Sequence, residues 1–127
     1  MSSVKRLLLA LVMVAGLAGC GDASASFKAV YTDRIKALED EVAILKEVTD
    51  RASMERVRPE LRKIGWRSQS IKKRFEALPA PSDAVKEEIE QMFVQPLQSV
   101  LDQLRDEMQR IKGLPGGEEF LKQLKHL

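Results

Sequence analysis

Cys20 is the one thiol of this 127-residue chain, His126 its one imidazole and Trp66 its one indole, so side-chain chemistry is narrow from the outset. A disulfide framework needs two cysteines and a Cys/His metal cluster needs several, so both are excluded by count. His126 has Gln123 where a Glu-x-x-His pair would place its acid, and it reads as a surface histidine. Glu39-Asp40-Glu41 and Glu87-Glu88 carry the oxygen ligands that divalent cations favour. Adjacent residues of a helix point about 100° apart, however, so these runs read as solvated faces rather than converging ligands. Gly116-Gly117 follows Pro115 and reads as a helix terminator, not a phosphate loop. The serines have no well-placed histidine to activate them. No catalytic residue, metal ligand or cofactor is expected, and the chain reads as a non-enzyme.

Trp66 is the most informative single side chain. It stands beside Arg62, Lys63 and Arg67, with Gly65 before it and Lys73 seven residues on. Two readings follow. In one, a C-terminal helix folds back and covers the indole with Phe120 or Leu124, with Gly65 permitting close approach. In the other, Arg62, Lys63, Trp66, Arg67 and Lys73 form a surface for anionic lipid headgroups or a partner protein, because Trp favours membrane interfaces and binding hot spots.

Lys5 and Arg6 precede an unbroken apolar run from Leu7 to Ala15, the charged and apolar regions of a secretory signal. From Leu7 to Gly19 a helix would reach roughly 20 Å, short of the ~30 Å hydrocarbon core. The run ends in Leu17-Ala18-Gly19-Cys20, and here the sequence resembles bacterial lipoproteins, whose lipobox places small residues before a lipidated Cys. The resemblance covers about the first 22 residues. It implies removal of residues 1–19, a diacylglycerol on Cys20 with a further acyl chain on its amine, and a location in the bacterial cell envelope. Two or three acyl chains would hold the protein on the bilayer, at about 0.8 kcal/mol per buried methylene. Asp22 stands one place later than the Asp that favours inner-membrane retention, which leaves inner and outer membrane both open. A chain of this kind also resembles the murein lipoprotein in its lipobox and helical seam. That family attaches to the wall through a terminal Lys, whereas Lys125-His126-Leu127 stands here, and covalent wall attachment is not expected.

Loss of Lys5 and Arg6 takes the 21 basic residues to 19, equal to the 19 acidic ones, so nucleic-acid binding is not indicated. The balance is uneven along the chain. Phe27 to Asp50 carries a net −2, Arg51 to Arg74 a net +7 and Ser82 to Lys112 a net −3.

Positioning these groups falls to helices. With 44% hydrophobic and 31% charged residues, the chain is neither a disordered tail nor a multi-span membrane protein. Residues 20–26 are small and polar and read as a lipidated tether; six extended residues span at most about 20–22 Å. Tyr31, Ile35, Leu38, Val42 and Leu45 then step at coiled-coil spacing, and Val30, Ala37, Ile44 and Val48 widen that stripe toward two neighbours. A second stripe runs through Val57, Leu61, Ile64, Ser68, Ile71, Phe75 and Leu78, with Ser53 as N-cap, no capping box, and Pro59 in the second turn. A third runs Val85, Ile89, Phe93, Leu97, Val100, Leu104, Met108 and Ile111, with Met92 and Leu101 alongside, a Ser82 or Asp83 cap, and a kink at Pro96. Helices are expected at about 27–49, 54–78, 83–113 and 118–126. The predicted fold is all-α, an antiparallel up-down-up three-helix bundle over 27–127 with a short C-terminal helix. The +7 helix is expected between its two acidic neighbours. The expected role is a lipid-anchored, non-catalytic interaction module whose partners are the membrane and an envelope protein or second copy; the alternative is direct binding of anionic headgroups.

Overall fold

Asp50 starts the second helix of this chain. In the computed structural model, which describes the backbone of residues 2–124 and the side chains of residues 24–124, the Asp50 carboxylate accepts from the Ser53 backbone N–H at 2.8 Å. Ser53 Oγ accepts from the Asp50 N–H at 3.0 Å. This reciprocal capping box corrects the expected cap: Ser53 is the third helical residue, and Pro59 falls a turn deeper than anticipated. Ser82 caps the third helix as expected, accepting from Val85 N–H at 3.3 Å.

The elements are α1 (Ser2–Lys46), α2 (Arg51–Glu76), α3 (Asp83–Lys112) and α4 (Gly117–Leu124), with no strand among the described residues. The all-α class stands, and α1, α2 and α3 pack as a helical bundle. No helix among the described residues is long and apolar enough to cross a membrane. Residues 24–26 belong to α1 rather than to a free tether, because Ser24 Oγ finds a partner, donating to Glu88 at 3.1 Å. The signal-peptide reading of residues 1–19 and the lipidation of Cys20 lie outside the described side chains, and His126 lies outside the described residues.

Pro59 and Pro96 sit inside unbroken helices. Each removes one backbone hydrogen bond, and each lies on an exposed face where water reaches the freed carbonyl. The α3–α4 reversal depends on glycine at two points. Gly116 has φ +77°, and a Cβ on Gly117 would lie 1.7 Å from the Ile111 carbonyl oxygen.

The packing order differs from the expected one. α1 packs against both α2 and α3, whereas no Cα of α2 comes within 8 Å of a Cα of α3. Packed helices normally have axes 8–10 Å apart, so these two are splayed across α1. The basic helix therefore does not lie between the acidic ones. Its cations reach α1, through Arg67 to Asp40 at 2.6 Å and Arg74 to Asp33 at 2.7 Å. Of the α3 acids, Asp102, Asp106 and Glu107 pair within their own helix and Glu88 pairs with Lys28 of α1.

α4 fills one part of the gap, packing on α3 and α2. There Leu45, Val48, Met54, Val57, Leu61, Ile111, Phe120 and Leu121 form the main core. The far part holds a smaller core of Phe27, Ile89 and Phe93, with Tyr31 and Leu78 against it.

Candidate functional site

The sequence-predicted surface lies on the outer face of α2. At 100° per residue Trp66 falls opposite the buried Val57–Leu61–Ile64 stripe, with Arg62 one turn before it and Lys73 two turns after. The Trp66 indole is 63% exposed. Phe120 does not cover it: that ring is buried in the main core, with the Arg58 guanidinium 5.4 Å from its centroid. Leu124 instead lines a small cavity with Leu61, Ile64 and Gly65, away from the indole.

The five candidates divide by what holds them. Arg67 is engaged by Asp40 and acts as a strut between α2 and α1. Lys63 pairs with Glu60 at 3.2 Å, an exposed contact worth about 0–1 kcal/mol that a ligand can displace. Arg62 and Lys73 are exposed and have no carboxylate within 4.0 Å among the described residues. The usable surface is thus Trp66 between two uncompensated cations, with Lys63 at its edge. Such a face offers stacking area and positive charge to an anionic group, and it holds no nucleophile, general base or metal ligand. Among the described residues no acidic group is arranged to hold a metal ion.

A second surface was not anticipated. Where α2 and α3 splay, α1 forms the floor of a cleft that α4 closes at one end only. Beyond α4, a cavity of about 250 Å³ is lined by Val30, Tyr31 and Arg34 of α1, Ile71 and Phe75 of α2, and Leu97 of α3. Phe75 packs edge-on to Phe27 at 6.1 Å and Tyr31 at 6.0 Å, while Tyr31 stacks on Phe93 at 5.5 Å. Four of the chain's six aromatic rings meet here, yet Phe75 stays 43% exposed. Along α3 a larger cavity of about 480 Å³ lies against α4, floored by Leu101, Leu104, Met108 and Leu121. Periodicity placed Phe75, Leu97, Leu104 and Met108 on buried stripes. The signal for the cleft was Leu101, one residue too far round α3 to face α1.

Two carboxyl groups report the contrast in surroundings. Glu41 of α1 lines a small cavity with Leu61 and Ile64 of α2 and Leu124 of α4, and burial raises its pKa. Glu88, at the opposite end, is held below the ordinary carboxylate range by Lys28 first and by the Ser24 hydroxyl second.

No family model, no curated protein and no solved structure matches the chain.

Proposed function

We propose that the protein is a lipid-anchored, non-catalytic interaction module of the bacterial cell envelope, exported by the signal in residues 1–19 and held to the bilayer through Cys20. The Leu17-Ala18-Gly19-Cys20 motif supports the anchor. The observation that carries the interaction role is Trp66, an indole 63% exposed between Arg62 and Lys73. An indole pairs a large apolar face with a polar N–H, which suits it to interfaces, and no element among the described residues covers this one. The antiparallel up-down-up order of the long helices belongs to the same proposal. It is supported by the pairings Arg74–Asp33, Arg67–Asp40 and Lys28–Glu88, and by Arg110 on the Leu45 carbonyl.

A second reading, supported by the cations flanking Trp66, is that the ridge binds anionic lipid headgroups directly. One set of measurements tests both. Mass spectrometry of the native protein should find acyl chains on Cys20 as the first residue; a bare thiol or an intact Met1 would remove the anchor. A non-acylated chain beginning at Ala23 is then floated with vesicles with and without phosphatidylglycerol. Salt-sensitive flotation with the anionic vesicles, lost in Trp66→Ala and Arg62→Glu, would assign the ridge to lipid. Absence of flotation leaves a protein partner, sought by cross-linking at position 66 in native membranes. If the chain neither floats with anionic vesicles nor cross-links at position 66, the ridge is overturned as a contact surface.

A further inference from the structure

The cleft between α2 and α3 lies on a different face from Trp66, and its occupant can be argued without reference to that ridge. Along α3, Val94, Leu97, Leu101, Leu104 and Met108 step by 3, 4, 3, 4, the spacing of a coiled-coil seam. Val94 is 52% and Leu101 37% exposed, and the others are partly covered. Leu97 lines the smaller cavity and Leu101 the larger one, so a single turn of α3 separates the two. From Val94 to Met108 the seam runs about 21 Å, close to four helical turns. Neither cavity is enclosed. A bound small molecule usually has most of its surface enclosed, which an open trough does not supply. A helix laid lengthwise fits one.

The charge around the trough fixes the kind of helix. Arg34 and Lys72 edge the smaller cavity, and Arg105, Lys112 and Lys122 the larger, against the single carboxylate of Glu118. Arg34, Lys112 and Lys122 have no carboxylate within 4.0 Å among the described residues. On the outer side of the seam the flanking positions are Gln98, Arg105 and Lys112, while on the side turned to α1 they are the buried Phe93 and Val100 and Glu107, which is tied to Arg110. A second copy seated antiparallel, seam to seam, would therefore bring the outer cations together. The chain also shows how the gap is filled, because α4 already occupies its closed part with Phe120 and Leu121 inward and Glu118 and Glu119 in its first turn.

We propose that the exposed α3 seam, running from the open α2–α3 cleft at Leu97 into the groove between α3 and α4 at Leu101 to Met108, seats an amphipathic helix of a partner protein, about four turns long, whose apolar heptad stripe is flanked by carboxylates. Tyr31 and Arg34 of α1 and Phe75 of α2 border it at the Leu97 end, and Leu121 of α4 borders it at the other. This is the helix-in-groove mode, in which apolar anchors set affinity and flanking charge sets partner choice.

The test titrates the native protein, in nanodiscs of neutral phosphatidylcholine, into two labelled helical peptides of three heptads. Both carry Leu at the seam positions; one has Glu at the flanking positions and the other Lys. Fluorescence anisotropy should show the Glu peptide binding about tenfold or more tighter than the Lys peptide, with the preference shrinking as salt rises. Leu101→Glu should weaken the Glu peptide by a similar factor, and Val94→Glu is a second variant at a more exposed position. The pair Arg105→Glu with Lys112→Glu should invert the preference, whereas Trp66→Ala should leave it unchanged. No binding of the Glu peptide, equal binding of the two peptides, or indifference to both seam variants would overturn the proposal. So would a dimer that Leu101→Glu dissolves, which puts a second copy in the cleft. Binding of neutral vesicles by the non-acylated chain, abolished by Leu101→Glu, would put an acyl chain there and overturn it equally.

Discussion

The two ends of the α2–α3 gap are built from the same three helices and differ in whether a fourth covers them. At the closed end Phe120 of α4 is 1% exposed and packs with Leu45, Val57 and Ile111 from the three longer helices. At the open end Phe75 is the corresponding ring, touching Phe27 and Tyr31 on one side and facing solvent on the other. The difference locates stability and binding capacity in separate places. The closed end saturates its apolar surface within the chain, so its residues are expected to act on folding. The open end leaves aromatic and leucine surface uncovered, so its residues are expected to act on recognition more than on folding.

The strongest way to break this contrast is to remove one ring from each end. Phe120→Ala should cost about 3–5 kcal/mol, because a filled core site loses a whole ring and collapses only partly. Phe75→Ala should cost about 1–2 kcal/mol, because much of that ring is already in water and what it loses is edge-to-face contact. Urea denaturation with a common slope reads the difference directly. Equal costs would mean that the open end is packed as tightly as the closed one, and the division of roles would fail.

A smaller effect separates the polar ties of the two ends. Arg110 of α3 donates from Nη1 to the Val48 carbonyl at 2.7 Å and from Nη2 to the Leu45 carbonyl at 2.8 Å. It thereby gives a partner to the Val48 carbonyl just beyond α1 and adds a second donor to the Leu45 carbonyl, which already accepts from the Val48 N–H at 3.1 Å. Arg110→Met should cost about 1–2 kcal/mol, since two charge-assisted hydrogen bonds to half-buried carbonyls disappear together. Toward the open end, Arg74 reaches Asp33 at 2.7 Å with both side chains nearly half exposed. Arg74→Met should cost about 0–1 kcal/mol and lose even that at high salt. Thermal melts of the two variants across a salt series would show whether the order holds.

How far these features could be read in advance follows from which physical signal each leaves in the chain. The helices were legible because 3-4 spacing and the Pro79-Ala80-Pro81 and Leu114-Pro115-Gly116-Gly117 breaks are local. The width of the α1 stripe, with Val30 and Ala37 beside Ile35 and Val42, also pointed to a helix with two neighbours, and α1 is the helix that touches both others. The charge blocks pointed elsewhere, to α2 in the middle. They failed because exposed ion pairs are weak and satisfied within one helix, as Arg110 with Glu107, so net charge does not set packing order. The cap of α2 was missed because a Ser cap with a Glu three residues on was sought, whereas here Asp50 caps and Ser53 answers. The cleft left a weaker trace. Periodicity identifies which residues share a face, but it carries no record of whether another helix arrives to cover that face. For the predicted ridge, the position of Trp66 opposite the apolar stripe was legible, whereas the capture of Arg67 by Asp40 depended on tertiary placement.

The smallest expected effect is in the pH dependence, and it should have opposite signs at the two ends. Glu41, at the closed end beside the cavity it lines with Leu61 and Leu124, has its folded-state pKa raised above the ordinary value of 4.5 by burial. The native state then holds its proton more tightly than the unfolded chain. Stability from this group therefore falls as pH rises from 4.5 through the raised folded value, and it stays lower above that. Glu41→Gln should raise Tm at pH 7 by roughly 1–3 °C and leave it unchanged well below the ordinary carboxylate range. Glu88 at the open end is lowered by Lys28 and Ser24, so its contribution is present above 4.5 and is lost as pH falls through its lower folded value. Glu88→Gln should accordingly lower Tm at pH 7, by a smaller amount because the pair is exposed. Melting curves of both variants between pH 3 and 7 would decide it, about one measurement per half pH unit sufficing to resolve limbs of opposite slope. If the two substitutions move Tm in the same direction at neutral pH, the closed end does not desolvate Glu41, and it loses the property that distinguishes it from the open one.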